Sequence, residues 1–444
     1  MSPSSPLSSL EKKRCHDDEM DALLQFKHTF LNTNHFVEHV GGYVLRHCVS
    51  KPKLESWEEG RDCCSWEGVE CDEQDDHHVR LDLSWNDFNS SHIPSSIGNL
   101  SNLTHLNLEG SKFSGQIPQQ QLSKITTMVS LDLSSNFGLE VGSLKGLVQY
   151  MINLKELHLS YVNIASSALP RDLLSNFSSL ESLDLYECGL KGEFPVAIFN
   201  LPKLNLSGNR DIKGHLPNFH SGSPLKSLRL DHTSFGGVLP PSIGNLASLE
   251  EIELNHCNFT GKLPKSLGNL AQLVSLDCSN IWDGNHFNSD SLTTSSLSWI
   301  GELTNLTKLT LGGMNLTRLT HLYINDNQLI DLRNNMLQGP LPIPPPSSSS
   351  FFSSYLISNN NLSGQVSNLI CNFTSLRFFD LSFNGKLPSK LIDTSNPMRS
   401  SNASHTLEYM EHNLQLYAMG VYEDFSPFDY SMTIYNKGKA VLHL

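Results

Sequence analysis

The sequence predicts an α/β solenoid, a right-handed curved coil of short parallel strands whose N-terminal end is closed by a disulfide-stapled cap. Three observations predict it. A strand-like leucine pattern recurs at steps of 21 to 26 residues over much of the chain. A Gly-x-Ile/Leu-Pro element punctuates the second half of many copies. Five of nine cysteines, Cys15, Cys48, Cys63, Cys64 and Cys71, crowd one end. Repeats that cannot bury their apolar face alone stack on their neighbours and need a polar lid at each end.

Residues 1–14 (MSPSSPLSSLEKKR) contain no continuous apolar core of the kind a secretory leader has, and are expected to be unstructured. Residues 15–78 form the cap. Its cysteines are clustered rather than arranged as paired C-x-x-C with histidines, which points to disulfides and an oxidising compartment rather than to a metal site. The run Asp75-Asp76-His77-His78 at its end offers metal donors, and a solvated loop is the commoner explanation; no metal or other cofactor is expected.

Residues 79–390 are the array. Its unit is Leu-x-x-Leu-x-Leu-x-x-Asn, clearest at Leu103–Leu106–Leu108, Leu154–Leu157–Leu159, Leu180–Leu183–Leu185, Leu225–Leu228–Leu230 and Leu249–Ile252–Leu254. The last leucines fall at 83, 108, 133, 159, 185, 206, 230 and 254, within the spacing of leucine-rich repeats. Leu-x-Leu is strand alternation, with leucines inward and the residues between them outward. An Asn follows three residues later at Asn86, Asn136, Asn209, Asn335, Asn360 and Asn384, placed to bond the backbone of the turn. Cys188 and Cys257 hold the same slot; a redox or metal pair is one reading, a small buried residue in the slot the better one. Cys278 replaces a strand leucine and belongs in the core. Gly115, Gly192, Gly237, Gly261 and Gly339 open the Gly-x-Ile/Leu/Phe-Pro elements and are expected to turn the chain. Ile97-Gly98-Asn99-Leu100 and its copies at 243–246 and 267–270 close the convex side.

Copies around 278–335 look damaged. Cys278 to Leu311 is 33 residues, with 282–299 as surplus, Leu311 to Ile324 is 13 and Ile324 to Leu332 is 8, too short to close a coil. Asn384-Gly385-Lys386-Leu387-Pro388 also lacks about three residues between Asn and Gly relative to the other copies, whose length sits in the leucine-rich-repeat range. Pro344-Pro345-Pro346 and the serines after it suit either a polyproline docking motif or, better, a convex-side insertion. Residues 391–444 are expected to be an irregular tail.

These residues resemble the plant-specific class of leucine-rich repeat, and Ala22-Leu23-Leu24-Gln25-Phe26-Lys27 followed by Cys63-Cys64-Ser65-Trp66-Glu67-Gly68-Val69-Glu70-Cys71 resembles the plant N-terminal cap. That resemblance implies Cys15–Cys63 and Cys64–Cys71 disulfides, with Cys48 unpaired. Tyr430-Ser431-Met432-Thr433-Ile434-Tyr435-Asn436-Lys437-Gly438 resembles the island segment of plant leucine-rich-repeat receptor-like proteins, the class of the Cf-type resistance proteins and the receptors for fungal xylanase. The resemblance implies a plasma-membrane ectodomain on the extracellular side. It would perceive a peptide, protein or pathogen-derived ligand in defence or development and signal through a partner receptor kinase. The family's leader, later repeats and membrane helix are not visible in the chain, which is expected to be a truncated copy. A secreted inhibitor of a pathogen cell-wall-degrading enzyme, similar to polygalacturonase-inhibiting proteins, and a non-functional truncated product are the alternatives.

Chemistry narrows the field further. Thirty-one Lys and Arg against 45 Asp and Glu leave a formal charge of −14, which argues against a nucleic-acid binder. No phosphate-binding loop, nucleophile elbow or zinc-protease helix is present, so no catalytic residue is assigned. Sequons at Asn89, Asn99, Asn102, Asn176, Asn258, Asn305, Asn315, Asn361, Asn372 and Asn402 suit a glycosylated ectodomain; another, at Asn205, sits within a strand. Binding is expected on the concave strand face, at Arg80, Asp82, Trp85, His105, Asn107, Glu109, Asp184, Tyr186, Arg229, Asp231, Glu251, Glu253 and Asn255. Thr104 is expected to be exposed there too. A ligand patch and a solvated, self-neutralising face explain those side chains equally well.

Overall fold

The computed structural model describes residues 15–30, 53–72, 79–164, 179–279, 286–287, 298–314, 329–341, 354–365, 378–382, 384–386, 431–436 and 439–443. Cys48, residues 75–78, Asn176, Asn315, Ile324, residues 344–350, Asn372 and Asn402 lie outside them. Two compact units follow from the contacts: residues 1–214 with 227–235, and residues 215–226 with 236–444.

The first unit starts with the cap. Helix Asp17–His28 opens with Asp17, Asp18 and Glu19 and closes with Lys27 and His28, charges that oppose the helix dipole, and buries Ala22, Leu23, Leu24 and Phe26. Cys15–Cys63 and Cys64–Cys71 are disulfide-bonded, with Cα separations of 5.4 and 5.5 Å. Trp57 stacks on Trp66 at 5.4 Å, and its indole N–H donates to the Glu67 carbonyl at 3.0 Å. Strand Val69–Cys71 pairs antiparallel with Val79–Asp82, so the cap ends as the first rung of the ladder. The helix meets the next coil through Glu19, which is buried and accepts from the Asn102 N–H at 3.1 Å; burial pushes its carboxyl above the usual range.

Beyond the cap the ladder is parallel. Val79–Asp82, Leu103–Asn107, Ser130–Asp132, Glu156–His158, Ser182–Asp184, Lys203–Asn205 and Ser227–Arg229 pair in sequence order. Their register sets Leu81, Leu106, Leu131, Leu157, Leu183, Leu204 and Leu228 in one row, all buried. A row of identical apolar side chains one strand spacing apart is a continuous core with no coil stable by itself.

The asparagine slot works as expected. In Asn136, fully buried, the side-chain amide donates to the carbonyls of Leu108, Leu133 and Ser134 at 2.8 to 3.1 Å, and its oxygen accepts from the Phe113 N–H at 2.9 Å. Asn209 repeats this with Leu185, Leu206, Ser207 and Leu190. Ser111 reaches the Leu83 carbonyl at 2.6 Å from the same slot, and the Cys188 thiol reaches that of Leu159 at 3.0 Å. Cys188 and Cys257 are both buried in their slots, and Cys278 is in the core.

Behind the ladder lies a second layer that the leucine pattern does not foretell. Lys191–Glu193 pairs with Asp211–Gly214, and Asn258–Gly261 pairs with 236–238. Gly115, Gly192, Gly237, Gly261 and Gly339 sit in this layer at positive φ, +89° for Gly192 and +85° for Gly261. Short 3₁₀ turns such as Ser95–Asn99 and Lys265–Asn269 complete the coils.

In the second unit Glu251–Glu253, Ser275–Asp277, Lys308–Thr310, Leu329–Asp331, Ser354–Leu356 and Phe378–Ser382 pair in parallel order. Two expectations change here. Leu309 pairs directly with Ile330, which puts Leu311 and Leu332, 21 residues apart in the sequence, on neighbouring rungs; Ile324 between them lies outside the described residues. The surplus before it leaves the register of Leu276 with Leu309 intact, and places His286–Phe287 beside Thr260 and Gly261 in the second layer. The tail is also not irregular throughout: Ser431–Asn436 pairs in parallel with Phe378–Ser382 and turns back antiparallel through Lys439–His443. Asn384–Lys386 pairs with 363–365 despite its short approach.

A recurring position at the end of the strands is held left-handed. The residue just before the asparagine slot has positive φ in Trp85 (+56°), Ser135 (+58°), Tyr161 (+66°), Glu187 (+49°), His232 (+55°), His256 (+54°), Asn334 (+55°) and Asn359 (+55°). This turn carries the chain off the strand, and its side chain stands at the C-terminal edge of the ladder.

Candidate functional site

Each strand offers outward positions, and the parallel register lines them into columns. In the first unit the central column runs Asp82, Asn107, Asp132, His158, Asp184, Asn205, Arg229. Part of its acidity is architectural. The side-chain oxygen at this position accepts the backbone N–H two residues on: Asp82 from Ser84 at 2.9 Å, Asn107 from Glu109 at 3.0 Å, Asp132 from Ser134 at 2.9 Å, Asp184 from Tyr186 at 3.1 Å and Asn205 from Ser207 at 3.1 Å. The bond is an Asx turn that ends the strand, and Asn serves as well as Asp.

The remaining capacity of those carboxylates builds a network. His158 Nδ1 is 3.4 Å from Asp132 Oδ2, and its Nε2 is 3.1 Å from the Ser182 hydroxyl. The bond to Asp132 raises the imidazole's pKa against the opposing effect of burial. Burial works against the Asp132 charge, yet bonds from His158 and Ser134 outweigh it and hold its pKa below the usual range. Ser160 donates to Asp184 at 2.5 Å. Along the edge, Trp85 is 65% exposed and Phe137 75% exposed. Phe137 packs on Tyr161 and Tyr161 on Tyr186, each with ring centroids 5.0 Å apart. Glu109 lies beside them; burial and the Asp132 charge push its carboxyl up, while a bond from the Trp85 indole pulls the other way.

Of the residues expected on this face, Arg80, Asp82 and Trp85 are exposed, and His105, Asn107, Glu109, Asp184 and Tyr186 are half-buried and outward, as is Arg229. Asp231 is half-buried too, and its carboxylate is held by Ser207 and His232. Thr104 is not exposed: it is buried and donates to the Val79 carbonyl at 3.3 Å. In the second unit Glu251 and Asn255 are half-buried. Glu253 is a correction, since it is only 8% exposed and spends its carboxylate on Lys308 Nζ at 3.0 Å. Lys308 belongs to the second strand beyond it, a partner that a reading within one repeat does not reveal. The Arg333 side chain holds Asp331 through Nη2 to Oδ2 at 2.6 Å and through Nε to Oδ1 and Oδ2 at 3.0 and 3.2 Å.

Sequence reasoning missed Asp132, His158, Phe137 and Tyr161. The signal lies in Leu131-Asp132-Leu133-Ser134 and Leu157-His158-Leu159, where the framework leucines draw the eye from the polar residues between them. Among the described residues, Cys15, Cys63 and Cys64 are the one cluster of metal-ligating side chains close enough to share an ion, and their sulfurs are committed to disulfides.

Asp277 makes a measurable prediction. It accepts from the Ser279 N–H at 3.0 Å and is pushed up to about 6, by burial first and by Glu253, against the pull of Lys308. A carboxyl raised on folding ionises more readily in the unfolded chain. Stability is therefore highest below the ordinary aspartate pKa and falls as pH rises through the window from 3.8 to about 6. Asp277→Asn keeps the turn bond, as Asn107 and Asn205 do. At pH 7.5 it should be more stable than the native chain by about 1–3 kcal/mol, since each tenfold change in proton affinity is worth ~1.4 kcal/mol. At pH 3.5 the two should be indistinguishable. Thermal melts at the two pH values decide it; equal gains at both would refute the assignment.

The sequence matches the family description "Leucine rich repeat N-terminal domain" at residues 16–38 and 44–72, and "Leucine Rich Repeat" at 79–100, 179–201, 224–246 and 248–270. It is similar to Receptor-like protein 6 of Arabidopsis thaliana, 37% identical over 281 residues, 54% of this chain and 28% of that protein. Receptor-like protein Cf-9 of Solanum pimpinellifolium is 32% identical over 279 residues, 55% of this chain and 32% of its own length. The chain thus spans less than a third of these curated relatives. In fold it is similar to the leucine-rich-repeat ectodomain of the Arabidopsis thaliana receptor kinase GASSHO1/SCHENGEN3, with a TM-score of 0.61 and 21% identity, covering 83% of this chain and 44% of that one. The Arabidopsis receptor kinase HAESA, solved with the peptide hormone IDA and the co-receptor SERK1, gives 0.58 and 24%, covering 84% of this chain and 66% of that one.

Proposed function

Since the chain belongs to the plant leucine-rich-repeat receptor-like proteins, we propose that it is a ligand-binding segment of a cell-surface ectodomain, a recognition module and not an enzyme. The observation that carries this reading is the outward face of the ladder. Charged and aromatic side chains stand in register on a hydrogen-bonded scaffold whose core is closed, so their positions are fixed before a ligand arrives. A peptide or protein ligand suits an extended face of this kind. The same fold carries a peptide hormone and a co-receptor in HAESA. Signalling through a partner receptor kinase is part of the proposal, as is perception in defence or development. The 431–436 strand and its return strand are proposed as the start of the island segment. Asn89, Asn99, Asn258, Asn305 and Asn361 are proposed as glycan acceptors, with the half-buried Asn102 beside them. Among the described residues no helix is long and apolar enough to cross a membrane.

The test is selection of a random dodecapeptide phage library on the immobilised glycosylated chain. Enriched peptides should lose binding when Asp184 and Arg229 are replaced by alanine, and keep it when Lys265, in a 3₁₀ turn away from the ladder, is replaced. Charge reversal at Arg229 and Glu251 should likewise redirect the selected sequences. Enrichment that tracks Lys265 and ignores the ladder would overturn the reading.

A further inference from the structure

Resting on that reading of the ladder, we propose that the C-terminal edge of the first unit's strands docks an extended peptide segment carrying arginine. The edge combines two features that a guanidinium uses together. Trp85, Phe137, Tyr161 and Tyr186 present aromatic surface, the last three as a chain of rings 5.0 Å apart. Glu109, Asp132, Asp184 and Glu187 line the same edge. Arginine stacks its plane on an aromatic ring while its fork meets a carboxylate, and its weaker hydration makes the transfer from water easier than for lysine.

Architecture does not consume all of this acidity. Asp132 gives one oxygen to the Ser134 N–H and the other to His158, whereas Asp184 takes both the Tyr186 N–H and the Ser160 hydroxyl on Oδ1. The Tyr186 hydroxyl donates to Glu187 at 3.1 Å, so ring and carboxylate already lie side by side. Most cations of this unit sit elsewhere: Arg80, Lys155 and Lys203 lie toward the N-terminal ends of the strands, and Lys155 faces Glu181 at 3.1 Å. Arg229 stands two strands beyond Asp184, and Lys112 is taken up by Asp87 at 2.6 Å. Aromatic side chains at a left-handed backbone position, as Trp85 and Tyr161 are, lower stability, and Trp85 does so while open to solvent. Four strand spacings separate the coil of Trp85 from that of Tyr186, roughly 19 Å, the reach of about six extended residues.

Terminally blocked, fluorescein-labelled octapeptides of glycine and serine with arginine at the third and sixth positions test this on the full chain by fluorescence polarisation, against versions with lysine or citrulline. The arginine peptide should bind, the lysine peptide about three- to thirtyfold more weakly as stacking is lost, and the citrulline peptide not at all. Tyr161→Ala and Tyr186→Ala should weaken the arginine peptide by a similar factor and leave the lysine peptide nearly unchanged; Tyr161→Phe should restore binding. Asp184→Asn with Glu187→Gln should weaken both cationic peptides. Citrulline binding as well as arginine, indifference to Tyr161→Ala, or no binding of the arginine peptide overturns the proposal. If the phage selection still enriches ladder-dependent peptides that lack arginine, the ligand-face reading survives and only this inference falls.

Discussion

Asn136→Ala is expected to lower stability by about 3–5 kcal/mol, because it orphans several fully buried backbone groups at ~1–3 kcal/mol each. The native side chain satisfies the carbonyls of Leu108 and Leu133 and the N–H of Phe113, and shares the Ser134 carbonyl, which also accepts from Gly110. Alanine removes the side-chain partner of the first three where water does not reach. The side chain spans two coils, so the loss falls on the interface between repeats, the quantity that decides cooperativity in a stacked array. Asn136→Ser should cost less than half as much, since Ser111 serves its own slot by bonding the Leu83 and Glu109 carbonyls. Asn136→Asp should approach alanine, because a carboxylate accepts but cannot donate to three carbonyls. Urea denaturation followed by circular dichroism gives the ranking. An alanine variant within about 1 kcal/mol of the native chain, less than one typical buried hydrogen bond, would show that the slot is not what binds the coils.

Opening Cys15–Cys63 by replacing both residues with alanine is the second large effect, with an expected loss of about 4 kcal/mol from the chain entropy of the loop it closes. The sequence separation of 48 makes this loop far longer than that of Cys64–Cys71, with a separation of 7, for which the same relation gives about 2–3 kcal/mol. The longer bond also does something the shorter does not. It ties the start of helix Asp17–His28 to the segment that stacks Trp57 on Trp66, and the helix in turn brings Glu19 to Asn102 and Gln25 to Asn99. Released, the helix should leave the first coil and uncover the 3₁₀ turn Ser95–Asn99, against which it packs. Limited proteolysis should therefore cut first within residues 15–72 in this variant, with the 130–230 region resistant. Equal resistance of the two regions would mean that packing alone holds the cap.

The parts legible in the sequence are those repeated many times. A leucine row, an asparagine slot and the cap cysteines each depend on local chemistry that reads the same in every copy, and Leu131, Asn136 and Cys63 stand where the pattern puts them. What is not legible lies between copies. Glu253 points outward by alternation, and its burial depends on Lys308, more than fifty residues away in the chain. The Leu309–Ile330 pairing is hidden because Ile324 also fits a strand position, and spacing alone cannot choose between two apolar candidates. The Asp132–His158 network escapes for the opposite reason: Leu-Asp-Leu-Ser satisfies the framework so well that nothing in it marks the aspartate as more than a strand-ending turn. The second-layer strands near Gly192 and Gly261 lack apolar alternation, and only stacking creates their pairing.

The left-handed residue before each asparagine slot sets two demands against each other. The backbone there is easiest for glycine, which Gly110, Gly208 and Gly313 supply, and asparagine is the next most tolerant, as in Asn334 and Asn359. Trp85 and Tyr161 are the residues for which that conformation is least comfortable. Selection for a sturdier rod would erase these side chains, and selection for a distinctive edge would keep them. A single chain of this kind therefore carries its own comparison: coils that yielded to the backbone mark silent stretches of the edge, and coils that resisted mark where the molecule has something to say.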